Sequence, residues 1–411
     1  MKNLLTVREY EKIFTDKLGA KNFNELVKFA ENYKPEDYKK HKRDDDTADV
    51  LEFFRLGLER GGYFVQLKNY VGVIRLPNGF QIEILPKIYG GDGDEKNLRG
   101  LVVNMLRTLK KFSGKNFLDA DLQTSRLPLY EIFIRQYLES VSELVKRGLK
   151  SSYILREENL RVFKGKLLIG QHVRENFAHR EKFFVAFDEY SLNRPEHRLI
   201  KATLDKLSRT TGDRENFRRA NRLLADFDSV DVSTNFAKDF SAVTIDRQNR
   251  GYESVMMWTK IFLADKSFTA FAGVSQAQAV LFPMETLFET YVAHHVRKNF
   301  SDRFTVTTQA QKKYLFDEPR AYKLKPDILL TGDETIILDT KWKFSVTEAD
   351  MYQMFAYSKR YGAAKIFLLC PPNSEGEKLF RSIEENFSVR IFFIDLFDMN
   401  ATMNRLRNLV K

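Results

Sequence analysis

Two aspartates and a lysine stand inside otherwise apolar runs in "LKPDILLTGDETIILDTKWK", Leu324 to Lys343. The runs Asp327–Leu330 and Ile336–Trp342 are rich in Ile and Leu and flank "TGDET", a turn-type loop. Folded as a hairpin centred on Asp333, they set Asp327 opposite Asp339. Directly opposed side chains of an antiparallel pair share a face, with Cβ atoms about 4.5–5.5 Å apart. Lys341 lies two residues beyond Asp339 and falls on that face too. Charges in a buried strand must be paired or hold a metal, because desolvating them is expensive. One Asp–Lys pair accounts for two of these charges and leaves a second carboxylate. Two carboxylates held together suit a hard divalent cation such as Mg²⁺. A lysine beside them can orient a water or stabilise charge at a phosphate. Each half alone is equally a structural feature, since Pro-Asp opens many turns and Asp-Thr-Lys is a common tripeptide.

Such a site needs elements to hold it. Before the hairpin, "PMETLFETYVAHHVRKNF" has helical spacing, with Leu287, Phe288, Tyr291 and Val292 on one stripe. After it, "TEADMYQMFAYSKRYG" places Asp350, Gln353, Met354 and Tyr357 near one face and stops at Gly362. A strand "KIFLLCP", a helix "GEKLFRSIEEN" and a strand "VRIFFIDL" follow. That order predicts a mixed sheet flanked by helices over residues 276–411.

The rest of the chain divides by pattern. Residues 1 to about 60 read as helices with charged connections: "NFNELVKFAENY", the polar "KPEDYKKHKRDDDTAD", then "VLEFFRLGL". From Gly61 strands take over, "GGYFVQLKNYVGVIRL" and "FQIEILPKI" joined by the hairpin signal "PNG". "YGGDGDE" is an acidic linker without calcium-loop spacing. Residues 96 to about 225 are mainly helical, as in "NLRGLVVNMLRTLKKF", "LYEIFIRQYLESVSELVKRG" and "RPEHRLIKATLDKLSR". The chain thus reads as a multidomain α+β protein. A 1–95 helix and β-hairpin region and a 96–275 mainly helical region precede a 276–411 α/β domain.

Composition limits the function classes. At 411 residues the chain is too long for one ordinary domain, and 43% hydrophobic with 30% charged residues suits a soluble globular protein. The net charge of +11 points to a polyanion partner such as nucleic acid. Between Lys146 and Lys182 there are ten Lys/Arg against four acidic residues, interleaved with Phe163, Phe177, Phe183 and Phe184. That segment suits a track for a phosphate backbone, and equally a solvated face over core phenylalanines. The histidines His172, His179 and His197 lack a metal-ligand spacing, and a single cysteine, Cys370, in an apolar run excludes a disulfide framework. No apolar run is long enough to span a membrane, and the N-terminus lacks a signal peptide's pattern, so a cytoplasmic location is expected. No G-x-x-x-x-G-K-[ST] loop occurs, so any nucleotide energy must come from another chain.

The order helix, hairpin with Pro-Asp, then Asp-x-Lys on the second strand resembles the PD-(D/E)xK nuclease superfamily. Within it, the chain is similar to the McrC subunits of modified-cytosine restriction systems of McrBC type. The resemblance rests on "IEILPKI", "FKGKLLIGQHVREN", "FDEYSLNRPEHRLIKATLDKL", "PMETLFETYV", "LKPDILL", "ILDTKWK" and "DMYQMFAY", taken in order. It implies that Asp327 and Asp339 are metal ligands for Mg²⁺ and that Lys341 is the catalytic lysine. It implies supporting roles for Glu289 on the preceding helix and Gln353 on the following one. For Glu289 a solvated helix edge shared with Glu285 is the competing role, and for Gln353 a surface or packing amide. The implied reaction is Mg²⁺-assisted hydrolysis of DNA phosphodiesters, with two copies of the chain needed to cut both strands.

The implied partner is an McrB-like AAA+ GTPase ring that binds GTP or ATP itself and whose own domain reads the modified base. The 61–88 hairpin region and the helices after it are the sequence's candidates for touching that ring. Two other readings stand beside this one. The first is a self-sufficient Mg²⁺ endonuclease of DNA repair or recombination; the second is a non-catalytic DNA-binding adaptor of an NTPase.

Overall fold

In the computed structural model, which describes residues 3–32, 53–88, 94–109, 126–178, 180–247, 249–263, 278–308, 312–343 and 345–410, the chain begins with a strand. This is β1 (Leu4–Arg8), and β2 (Lys12–Phe14), α1 (Thr15–Leu18) and α2 (Ala20–Asn32) follow. The next elements are β3 (Phe54–Glu59), β4 (Gly62–Leu67), β5 (Tyr70–Arg75) and β6 (Gln81–Leu85). Of the first sixty residues, then, α2 meets the helical expectation, while the described part of "VLEFFRLGL" is strand β3. Packing decides this: Gly57 of β3 lets the Phe64 ring of β4 lie where a Cβ would stand 2.4 Å from it. The polar segment 34–49 falls outside the described residues. The Pro77-Asn78-Gly79 turn closes the β5–β6 hairpin as expected, with Gly79 at φ 84°. Phe23, Leu26, Phe29 and Ala30 of α2 pack with Ile13, Val65, Ile74 and Ile82 in one core.

Asp94 caps α3 (Glu95–Thr108) through the Lys96 amide. Arg99 of α3 reaches back to the fully buried Glu83 of β6, with an Nη2–Oε2 distance of 2.7 Å. Glu83 also accepts from the Thr6 hydroxyl and from the Leu129 amide, so one buried carboxylate joins β1, α3 and the start of the next helix. Burial alone would lower the Arg99 guanidinium, but the Glu83 carboxylate raises it, which keeps the guanidinium charged.

That next helix, α4 (Leu129–Lys146), runs into a second unit formed by Glu131–Lys266. Here follow β7 (Ser152–Leu160), β8 (Lys166–Leu167), α5 (Ile169–Glu175) and β9 (Phe183–Ser191). Helices α6 (Pro195–Thr210), α7 (Arg214–Asp226), α8 (Phe236–Ala242) and α9 (Tyr252–Leu263) complete it. Trp258 of α9 stacks on Phe262 and meets Phe133 of α4, which gives this unit an aromatic core. His197 bridges the Leu192 carbonyl and the Tyr252 hydroxyl, each at 2.6 Å, and is a core residue rather than a ligand. The basic segment is an antiparallel sheet of order β7-β9-β8, set among helices. Its Phe163 and Phe177 are exposed, so they are not core phenylalanines.

The chain then returns. β10 (Gln278–Pro283) pairs antiparallel with β5 and completes a sheet of order β1-β6-β5-β10. Gly72 permits this: a Cβ there would lie 1.9 Å from the Val280 carbonyl oxygen, and its φ is 134°. Residues Met1–Tyr130 and Ser267–Lys411 therefore make one unit. This unit spans the sequence divisions at 95/96 and 275/276, since a strand from beyond the second boundary joins the N-terminal sheet.

From β10 the chain passes directly into α10 (Met284–Phe300), then β11 (Thr305–Thr308), β12 (Lys313–Asp317) and β13 (Arg320–Leu324). The hairpin of interest is β14 (Ile328–Thr331) and β15 (Thr335–Thr340), followed by α11 (Glu348–Tyr361) and β16 (Lys365–Cys370). Last come β17 (Leu379–Ser382), β18 (Phe387–Phe393) and α12 (Met399–Leu409). A six-stranded sheet has the order β11-β14-β15-β16-β18-β17, with β15, β16 and β18 parallel and the others antiparallel. α11 covers the face bearing Ile337, Leu368, Val389 and Ile391. Phe288 of α10 meets Trp342, whose place in the alternation puts it on the other face. Gly362, at φ 66°, ends α11 as expected. The segment "GEKLFRSIEEN" corrects the expected helix: its Leu379–Ser382 is edge strand β17, turned into β18 at Asn386 with φ 48°. No helix among the described residues is long and apolar enough to cross a membrane.

Candidate active site

The β14–β15 register pairs Ile328 with Leu338 and Thr331 with Thr335. One further step along that ladder sets Asp327 beside Asp339, the arrangement inferred from the apolar runs. Asp327 is fixed by Thr340, whose amide and hydroxyl donate to Oδ2 at 2.8 and 2.6 Å. Its Oδ1 accepts no hydrogen bond from the described residues. Asp339 is only 1% exposed. Lys341 Nζ stands 2.7 Å from Asp339 Oδ2, and it donates to Gln353 Oε1 on α11 at 3.0 Å. Among the described residues, this buried oxygen is held by the Lys341 ion pair and has no further hydrogen-bond partner.

The electrostatics record a surplus of negative charge. Burial pushes the Asp339 carboxyl up to about 7, the Asp327 charge adds to this, and Lys341 opposes it. Burial pulls Lys341 down, but Asp339 and Asp327 outweigh it and hold the amine above its ordinary value. Lys341 is thus an ammonium that incompletely neutralises two carboxylates. A buried carboxylate that one ammonium incompletely neutralises, beside a second carboxylate with a spare oxygen, fits a hard divalent cation. Among the described residues no group of three or more His, Cys, Asp or Glu is placed to hold a metal ion.

α10 brings a carboxylate that the sequence reading did not select. Burial raises Glu285, which also feels Lys341, Lys343 and Asp327. Glu289, the residue expected to support the site, lies one turn further along α10 and is half-buried. Glu285 occupies the first turn directly after β10, a place that only the sheet pairing reveals. Asp350 caps α11 in a box with Thr347 and meets Lys343 at 3.1 Å.

A second unforeseen carboxyl, Glu9, arrives from just beyond β1. It is fully buried, accepts from Trp342 Nε1 at 3.2 Å, and has one oxygen with no hydrogen-bond partner. Burial pushes it up to about 8, with Glu285 adding to the shift. Glu9 therefore holds the residue next to Lys341 from the N-terminal sheet. Neither the Pro-Asp nor the Asp-x-Lys pattern carries any signal for it.

Cys370 is buried and its thiol is pushed up to about 12, which suits an inert side chain. His294 and His295 stand edge to face, and burial lowers both.

Comparison with known proteins gives a consistent picture. The family model described as "McrBC 5-methylcytosine restriction system component" matches residues 65–371. A chain in the refined half-complex from the tetradecameric assembly of Thermococcus gammatolerans McrB AAA+ hexamers with bound McrC superposes with a TM-score of 0.73. It is 18% identical, and the match covers 99% of this chain and 100% of that one. A chain in the cryo-EM structure of the Thermococcus gammatolerans McrBC complex gives 0.50 at 17% identity, covering 87% of this chain and 99% of that one. At these identities the likeness is one of fold. No curated protein sequence matches.

Proposed function

Since the chain belongs to the McrBC 5-methylcytosine restriction system component family, we propose that it is the DNA-cutting subunit of a modification-dependent restriction complex, working in the cytoplasm with an McrB-like AAA+ GTPase ring. The observation that carries this reading is the Asp327–Asp339 pair with Lys341 between Asp339 and Gln353. Asp327 and Asp339 would hold Mg²⁺, which when bound polarises a scissile phosphate and eases deprotonation of the attacking water. The chain's own residues set the rest. Thr340 orients Asp327, and Lys341 pairs with the buried Asp339. Lys341, held charged and aimed by Gln353, would steady the attacking water or the charge growing on the phosphate. No covalent enzyme intermediate is required. One such site cuts one strand, so two copies would act in a double-strand break.

Engagement of the ring is supported by a surface on the second unit. Tyr153, Leu155, Phe163, Ile169, Phe177 and Tyr190 of the β7–β9 module are exposed apolar residues, more than a solvated sheet presents without a partner. By contrast, β5 and β6 of the 61–88 hairpin region are largely buried. The decisive experiment isolates the complex through this chain and incubates methylated and unmethylated plasmid with Mg²⁺, with and without GTP or ATP. Cutting of modified DNA only, dependent on a nucleotide and lost in Asp339→Ala, is the expected result. Cutting with Mg²⁺ alone would point to a solitary nuclease, and nucleotide hydrolysis without cutting to an adaptor.

A further inference from the structure

The β12–β13 hairpin lies outside the six-stranded sheet and leads straight into the site: only Lys325 and Pro326 separate it from Asp327. Nothing in the catalytic reading uses it. Two large rings stand on it in solvent, Phe316 at 53% exposure and Tyr322 at 63%. They meet edge to face with centroids 5.8 Å apart.

Regular alternation would not bring these rings together. Phe316 pairs with Ala321 and Tyr314 with Lys323, so Tyr322 belongs on the face opposite Phe316. The backbone at Tyr322 takes φ 54°, and the ladder skips it. A positive φ is costly for a bulky side chain, and such strain persists only where surrounding structure holds it. Here it joins two aromatic rings that both stay largely exposed.

The hairpin is also braced. Arg360 of α11 pairs with Asp317 at 2.8 Å, and Lys313 donates to the Arg360 carbonyl at 2.7 Å and sits over the Tyr361 ring. The Tyr361 and Tyr357 hydroxyls donate to the Leu324 and Lys325 carbonyls. The helix that aims Lys341 through Gln353 therefore fixes the hairpin too. Between Lys312 and Lys325 there are five basic residues and two acidic ones, and one of those acids is committed to Arg360. Exposed rings among basic side chains, held rigidly beside a phosphate-hydrolysing site, suit nucleic acid: the rings against bases or sugars, the cations against phosphates.

We propose that the β12–β13 hairpin is a DNA-contacting element that holds the duplex flanking the scissile phosphate, through the Phe316–Tyr322 pair and the exposed Lys312 and Arg320. This rests on the nuclease reading for its choice of substrate. Its test does not need cleavage. Binding of a fluorescein-labelled 24-base-pair duplex to the full chain is measured by anisotropy over a range of salt concentrations in EDTA. The Phe316→Ala/Tyr322→Ala variant is expected to bind roughly tenfold more weakly at each salt concentration, with the salt slope kept. The Lys312→Ala/Arg320→Ala variant is expected to lose about two from that slope, for two phosphate contacts. Tyr322→Gly removes the ring and relieves the backbone, and it is expected to weaken binding while folding at least as well. Unchanged affinity in all three variants, or no binding by the unaltered chain, overturns the proposal. If the variants weaken binding but the unaltered complex never cuts DNA, it is the nuclease reading that fails.

Discussion

Replacing Glu9 with Gln exchanges one oxygen for an amide on a side chain that solvent does not reach. Burial holds the Glu9 carboxyl at about 8, against its ordinary 4.5. In the unfolded chain it ionises near the ordinary value, so between the two folding must take up a proton. The stabilising neutral form is complete below about 4.5, and stability is lost as pH rises through about 8. At about 1.4 kcal/mol for each tenfold, the full difference is about 5 kcal/mol, a ceiling because water entering the site would relieve the ionised form. Gln keeps an acceptor for Trp342 Nε1 and has no proton to take up. It places its NH2 where Glu9 Oε1 has no partner, a fixed cost of about 1–3 kcal/mol. The assay is urea unfolding at pH 5, 6, 7 and 8, followed by Trp342 fluorescence in a Trp258→Phe background, since the chain has two tryptophans. Glu9 should be the more stable form at pH 5, and Gln should overtake it by pH 8. A stability difference that stays constant across this range would refute the reasoning.

Three further outcomes follow from single contacts. Gln353→Ala removes the acceptor that aims Lys341, a charged hydrogen bond of about 1.5–3 kcal/mol. Single-turnover cleavage by the complex should slow at least tenfold while DNA affinity stays level. Gly72→Ala forces a Cβ to within 1.9 Å of the Val280 oxygen at a φ of 134°, so β10 must part from β5. A loss of more than about 3 kcal/mol in urea unfolding is expected. Glu131→Ala strands the Thr211 hydroxyl, the Gly212 amide and the Asn216 side chain, which it now accepts at 2.6, 2.8 and 2.9 Å. Unfolding of the second unit should ease by about 3 kcal/mol.

What the sequence made legible was local. The β14–β15 register follows from Ile and Leu runs around one turn, and it carried Asp327, Asp339 and Lys341 with it. The α11 stop at Gly362 and the Pro77-Asn78-Gly79 turn depend on backbone preferences of the residues themselves. What stayed hidden was set by distant partners. Glu9 reaches Trp342 from the other end of the chain, and Glu285 is placed by the entry of β10 into a sheet begun at β1. "GEKLFRSIEEN" has the composition of a helix, yet pairing with β18 overrides that preference along its middle. The Tyr322 conformation breaks strand alternation, so no periodicity announces the Phe316 contact.

The central claim is that this chain, and no other member of the complex, carries the cutting site. Lys341→Ala tests it most directly, in the complex isolated through this chain with its proposed ring partner, with cleavage of methylated plasmid and nucleotide hydrolysis measured on the same sample. The account predicts that cutting falls by at least a thousandfold, to background, while hydrolysis and DNA binding persist. Cutting at an undiminished rate by the Lys341→Ala complex would contradict it.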